Sequence, residues 1–210
     1  MVMPGKFITL EGSEGAGKST SIEALCQHLV SAGIDVYQTR EPGGTPMAEA
    51  IREVMLADWQ ESVSGLTELL LVFAARQQHL THEIRPRLAS GQWVVCDRFT
   101  DATYAYQGVA RGTPLAYVAA LEEWVQADLR PDLTLYLDLD PEIGRQRIAD
   151  REQDRMENEQ ADFFRAVRAG YLQRVETESA MQLIDASQSI EEVHAAMLAI
   201  VEPYIQRHQA

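Results

Sequence analysis

The chain has 210 residues, 46% of them hydrophobic, with 18 basic and 32 acidic side chains and a net charge of −14. This length fits one domain, or one domain with a small insertion, and the hydrophobic content is ample for a core. No basic stripe runs along the chain, which argues against a nucleic-acid binder but not against a small phosphorylated ligand, because one lysine, a few arginines and backbone amides can hold a phosphate whatever the global charge.

The opening residues, Met1 to Lys6, lack the apolar core of a signal peptide, and no apolar run is long enough to span a bilayer. The two cysteines, Cys26 and Cys96, have no partner at metal-ligand spacing and read as buried thiols. A soluble, cytoplasmic protein in a reducing compartment is expected, with no nucleic-acid and no membrane partner.

In chain order, short apolar runs suited to strands fall at 6–11, 35–39, 93–96, 133–139 and 182–184. Helical periodicity falls at 19–32, 46–57, 66–89, 114–128, 141–151, 159–179 and 189–207. This alternation predicts a five-stranded parallel sheet with helices on both faces, in a single domain over 1–210. Ligands of such sheets gather at the carboxyl ends of the strands, which makes the aspartate after the 93–96 run and the polar segment 101–107, read as a helix starting at that strand end, the first places to inspect.

The most informative segment joins the first strand to the first helix. Gly12-Ser13-Glu14-Gly15-Ala16-Gly17-Lys18-Ser19 fits the phosphate-binding pattern G-x-x-x-x-G-K-[ST] in its required strand–turn–helix context. Glycines 12, 15 and 17 free the backbone for positive φ and close approach to a ligand, and the exposed amides at a helix N-terminus then point at phosphate oxygens. Lys18 reaches the β and γ phosphates and the Ser19 hydroxyl ligates Mg2+. Residues 145–159, RQRIADREQDRMENE, are dense in both charge signs. They read either as a solvated helix face or as a mobile lid over the phosphates.

Taken together, GSEGAGKS, TREPGGT (39–45), FAARQQH (73–79), VVCDRFTDATYAYQG (94–108), RPDLTLYLDL (130–139) and DRMENE (154–159) make the chain resemble the bacterial thymidylate kinases from about residue 6 to 187. The resemblance implies a P-loop NTPase α/β fold, usually assembled as a homodimer, and Mg2+-dependent transfer of the γ-phosphoryl of ATP to dTMP. On the ATP side it implies the loop Gly12, Ser13, Glu14, Gly15, Ala16, Gly17, Lys18, Ser19 and Thr20, with Arg147 and the 185–187 turn beside the adenine. Glu14 matches an acidic residue that also contacts the acceptor sugar and the water around the metal. Arg98 and Arg52 match arginines on the dTMP phosphate, and Asp97 matches the acid near Mg2+. Phe73 lies in the segment that stacks on thymine, Arg76 matches the arginine at the base's O4 edge, and Thr103 and Gln107 match polar groups around the base. Many relatives carry the stacking aromatic four residues before this arginine, where this chain has Val72.

Relatives place a catalytic arginine either in the phosphate loop or in the lid. The corresponding loop residue here is Gly15, so the resemblance implies the lid type, with Arg155 as the main charge stabiliser and Arg151 assisting. The acceptor is an already ionised phosphate oxygen, so no general base is sought, and His28, His79, His82, His194 and His208 read as surface or packing residues. Two other readings remain open at this level. One is a kinase for another nucleoside monophosphate. The other is a non-catalytic nucleotide switch, which is disfavoured because the only asparagine, Asn158, is not part of an Asn-Lys-x-Asp element.

Overall fold

The computed structural model describes residues 4–148 and 155–209. Five strands, β1 (Phe7–Glu11), β2 (Val36–Arg40), β3 (Trp93–Asp97), β4 (Leu133–Asp138) and β5 (Met181–Asp185), form one sheet in the order β2-β3-β1-β4-β5. Every neighbouring pair is parallel. The helices are α1 (Lys18–Ser31), α2 (Pro46–Leu56), α3 (Gly65–His79), α4 (Arg85–Ala89), α5 (Thr100–Thr103), α6 (Leu115–Gln126), α7 (Pro141–Arg147), α8 (Ala161–Thr177) and α9 (Ile190–Gln209).

All five residues of β1 are buried, as a central parallel strand covered on both faces must be. Alternate side chains go to opposite layers. Ile8 and Leu10 join Leu25, Leu29, Met197 and Val201 in the layer of α1 and α9, and Phe7 points the other way, to Leu80, Ile84 and Phe99. On that second face Tyr136 of β4 stacks on Tyr171 of α8, with ring centroids 4.8 Å apart. Strand order reverses on either side of β1, so a crevice opens at its carboxyl end, where the glycine-rich loop lies.

The strands and most helices fall within a residue or two of their expected positions. The 66–89 helix instead passes through a π-helical stretch, Leu80–Ile84, between α3 and α4; Pro86, in the first turn of α4, brings no N–H to the ladder there. The segment from Thr100 continues as a π-helical stretch from Tyr104 to Ala110. It shows no helical periodicity because Thr100 to Gly108 are buried on every side, which leaves no polar face to alternate with an apolar one.

Among the described residues no helix is long and apolar enough to cross a membrane. Cys26 is half-buried and Cys96 buried, both as free thiols, and burial pushes the Cys26 thiol up to about 11.

Candidate active site

Gly12, Gly15 and Gly17 have φ of 150°, 76° and 87°, so the loop takes the left-handed turns that its glycines permit. Gly15 has a second constraint. A Cβ there would lie 2.3 Å from the Gly144 carbonyl oxygen, because α7 packs backbone to backbone on the loop. A side chain at this position would require the loop and α7 to move apart. Ser13 and Ala16 are buried, and Ala16 packs into the core beneath the loop.

Lys18 folds back so that Nζ donates to the carbonyls of Gly12 (2.9 Å) and Ser13 (3.0 Å). Burial, and then the positive charge of Arg98, push its ammonium down to about 8. Lys18, Ser19, Thr20, Asp97 and Arg147 line one cleft. The Oδ1 atom of Asp97 is buried with no hydrogen-bond partner among the described residues. Arg147 Nη1 donates to the carbonyls of Gly15 and Ala186, each at 3.2 Å, which joins α7, the loop and the 185–187 turn on one side of the cleft.

A second cavity is walled by Met55, Leu56, Val72, Phe99 and Ala102, with Arg76, Thr103 and Gln107 among its polar groups. The two cavities share Glu14, Glu41, Arg52 and Arg98. Arg98 sits at φ 65°, and its Nη2 donates to Glu14 Oε1 (2.5 Å), Tyr106 Oη (3.3 Å) and the Gly12 carbonyl (3.3 Å). Tyr106 donates to the other Glu14 oxygen at 2.8 Å. Burial alone would raise the Glu14 carboxyl; Arg98 and Lys18 outweigh it and hold the group below its ordinary range. Arg52 Nη1 donates to the Pro42 carbonyl at 3.2 Å.

Behind Arg98 lies Glu11, fully buried, which accepts from the Phe99 amide (2.7 Å) and the Tyr171 hydroxyl (2.8 Å). Burial, and then nearby Asp101, raise its carboxyl to about 8.

Arg76 is 1% exposed. Its Nε donates to Glu41 Oε2 at 2.7 Å and its Nη2 to Thr103 Oγ1 at 3.0 Å. The guanidinium carbon lies 4.8 Å from the ring centroids of both Phe73 and Phe99.

A profile described as thymidylate kinase matches residues 10–197. The chain belongs to the thymidylate kinase family. Relatives called thymidylate kinase include one from Pseudomonas savastanoi pv. phaseolicola, 58% identical over 93% of this chain and 94% of that protein. Another, from Pseudomonas putida strain GB-1, is 54% identical over 98% of this chain and 99% of that protein.

Two of the residues singled out by resemblance lie away from the cavities that their expected roles involve. Phe73 does not face the second cavity. It is 2% exposed and packs with Leu69, Tyr104 and Val118, whereas Val72 lines the cavity. Val72 is one turn, four residues, before Arg76 and shares its helical face; residue 73 is rotated about 100° away.

Arg155 is not among the residues lining the phosphate cleft. Its Nη2 donates to Glu68 Oε1 and to the Met55 carbonyl, both at 2.8 Å, because Glu68 is a fully buried carboxylate that demands cations. Arg111 supplies a second cation to Glu68 at 3.1 Å and reaches Glu159 at 2.6 Å. Arg151 lies outside the described residues.

Sequence reading missed Glu41, Glu68, His79 and Tyr106. His79 is not a plain packing residue: it is wholly buried and hydrogen-bonded at both ring nitrogens, to Glu41 and Thr39. A signal was available in α3, where Glu68, Val72, Arg76 and His79 fall at i, i+4, i+8 and i+11 and form one stripe.

Proposed function

We propose that this chain is a thymidylate kinase that transfers the γ-phosphoryl of ATP to dTMP, giving ADP and dTDP. The observation that carries this reading is the shared wall of the two cavities, where Arg52 and Arg98 stand between a phosphate-binding loop and an apolar pocket. A phosphoryl group passing between two nucleotides needs both to meet at such a wall, in line and screened by fixed positive charge.

On this reading the amides of the loop and Lys18 hold the β and γ phosphates of ATP, with Arg147 at the adenine side. Lys18 leaves the Gly12 and Ser13 carbonyls for the phosphate, which also restores its full charge. Arg98 and Arg52 hold the acceptor phosphate; an arginine fork fits phosphate oxygens bidentately. Glu14 is held in place by Arg98 and Tyr106, at the junction, for the acceptor sugar. The base lies against Val72 and Phe99, with its edge toward Arg76, Thr103 and Gln107. The acceptor oxygen is ionised near neutral pH, so no side chain has to take a proton.

The donor set fits a magnesium ion. Asp97 Oδ1 is buried and without a partner among the described residues, Ser19 lines the same cleft, and no cluster of three His, Cys, Asp or Glu occurs among the described residues. Mg2+ characteristically takes one or two protein oxygens and fills its shell with water and substrate phosphates. When bound, the ion neutralises charge on the phosphate oxygens. The lid contribution falls to Arg151, with Arg155 anchoring the lid on Glu68 over the acceptor side.

A homodimer is part of the proposal. Leu66 and Leu70 of α3 and Tyr117 and Trp124 of α6 are exposed, the last at 86%, and each pair recurs at a spacing that keeps it on one helix face. Sedimentation of wild type and of Trp124→Glu tests the dimer; a wild-type monomer would overturn it. The activity is tested by steady-state turnover of dTMP, CMP and AMP with ATP. The expected result is kcat/KM at least tenfold higher for dTMP, and comparable values would defeat the assignment.

A further inference from the structure

We propose that His79 is a positioning residue for recognition of the acceptor base, acting on Arg76 through Glu41. This rests on the reading above that Arg76 meets the base. His79 itself has no surface in the cavity: it is 0% exposed, and the cavity walls contain Glu41 and Arg76 but not the histidine.

The chain of contacts has a defined direction. Glu41 is 3% exposed, and Arg76 with His79 holds its carboxyl below the ordinary range against the opposing effect of burial. An ionised carboxylate only accepts, so the 3.1 Å contact from His79 Nδ1 to Glu41 Oε1 puts the proton on Nδ1. His79 Nε2 shares a hydrogen bond with the Thr39 hydroxyl at 2.8 Å. Both ring nitrogens of the imidazole are thereby satisfied.

Each Glu41 oxygen has its own partner, Oε1 for His79 and Oε2 for Arg76 Nε. The carboxylate therefore cannot rotate without breaking a buried bond. Arg76 is in turn fixed at Nε by Glu41 and at Nη2 by Thr103, and its guanidinium packs on the rings of Phe73 and Phe99. One nitrogen remains: Nη1 is buried and has no partner among the described residues. A buried donor without an acceptor is costly to keep, so Nη1 is held for a ligand acceptor such as a ring carbonyl. A hydrogen bond weakens steeply with misalignment, and what Glu41 and His79 determine is the aim of that donor.

The ring is also locked from the loop side. Gly44 has φ +85°, and a Cβ there would lie 2.3 Å from His79 Nε2 and 2.8 Å from Thr39 Oγ1. The backbone of the TREPGGT segment lies directly against the imidazole, and no other residue type leaves room for it.

The test is kinetic and uses the full chain. In His79→Phe, which loses both bonds, KM for dTMP should rise about tenfold while KM for ATP stays within about twofold. The ratio of kcat/KM for dTMP over dCMP, which carries an amino group in place of the ring carbonyl, should fall by a similar factor. His79→Asn keeps an N–H donor toward Glu41 and should recover most of the dTMP affinity, and Thr39→Val should change KM for dTMP in the same direction by about threefold. A purely structural role predicts instead that KM rises equally for both substrates and that His79→Asn gives no rescue; that result, or an unchanged dTMP/dCMP ratio in folded His79→Phe, overturns the proposal. Should His79→Phe not fold, His79→Asn and Thr39→Val decide it by the same split. Arg76→Gln separates the two levels. If it leaves the dTMP/dCMP ratio unchanged, the base-edge role of Arg76 fails; if it lowers the ratio while His79→Phe does not, only the role of His79 fails.

Discussion

Glu68 and Arg155 give a quantitative test of how the segment beginning at Arg155 is attached. Glu68 is fully buried and accepts from Arg155 (2.8 Å), Arg111 (3.1 Å) and Gln107 (3.4 Å). At contact distance, with an effective dielectric near 20, the gross attraction of one such pair is about 4 kcal/mol, and desolvation offsets part of it. The two single deletions should differ in size. Arg155→Ala leaves Glu68 with Arg111 and Gln107, and the loss should be about 1.5 kcal/mol, the low end for a charge-assisted bond. Glu68→Ala strips the shared anion from two arginines whose side chains are only 16% and 18% exposed, and the cost should be about 3–5 kcal/mol. At roughly 2–4 °C per kcal/mol for a chain of this length, calorimetric melting should drop about 3–6 °C for Arg155→Ala and about 6–20 °C for Glu68→Ala. Arg155 also donates to the carbonyl of Met55, a wall residue of the acceptor cavity, so Arg155→Ala should raise KM for dTMP more than it lowers kcat. Equal melting losses would refute the shared-anion argument. A fall in kcat of about 10³ or more with unchanged KM for dTMP would return Arg155 to the transferred phosphoryl group.

Three further outcomes follow from the site. Lys18 must be protonated to grip phosphate and titrates near 8 in the free protein, so kcat/KM for ATP should be flat below pH 8 and fall about tenfold per unit above it; a profile flat to pH 9.5 contradicts the assignment. For Glu11 the folded value near 8 lies above the ordinary 4.5, so between these the native state holds the extra proton and stability falls as pH rises, by about 1.4 kcal/mol per unit. Glu11→Gln keeps the shape and an acceptor for the Phe99 amide, and urea unfolding at pH 5, 6.5 and 8 should show that slope in wild type only; parallel curves would argue against a buried neutral carboxyl. Gly15→Ala should weaken ATP binding and lower the melting temperature together, because its Cβ meets the Gly144 backbone; a variant with wild-type KM for ATP would show that α7 yields freely.

How much of the site is legible in the sequence depends on how local each feature is. The phosphate loop is contiguous, and its glycines, lysine and serine bear on one ligand group, so position along the chain translates directly into position in space. The strands are equally legible, since a buried parallel strand is a short apolar run. Segment 101–107 is read as a helix from its place after a strand end, not from periodicity, because burial of residues 100–108 on all sides removes the alternation that periodicity detects. Phe73 shows a limit. One residue of displacement turns a helical side chain about 100°, and only the packing of Leu69, Tyr104 and Val118 around Phe73 decides that Val72 faces the cavity.

The sequence alone determined the sheet-and-helix alternation and the glycine-rich loop at the end of β1. The tertiary structure decided which partner each charge has: Glu41 takes Arg76 and His79, Glu14 takes Arg98, and Glu68 takes Arg155. These pairs join residues 35 to 87 positions apart in the chain. A buried charge is satisfied by whatever opposite charge the fold brings within hydrogen-bonding distance, and that depends on how α3 and the β3–α5 junction pack around the loop, which no spacing along the chain encodes.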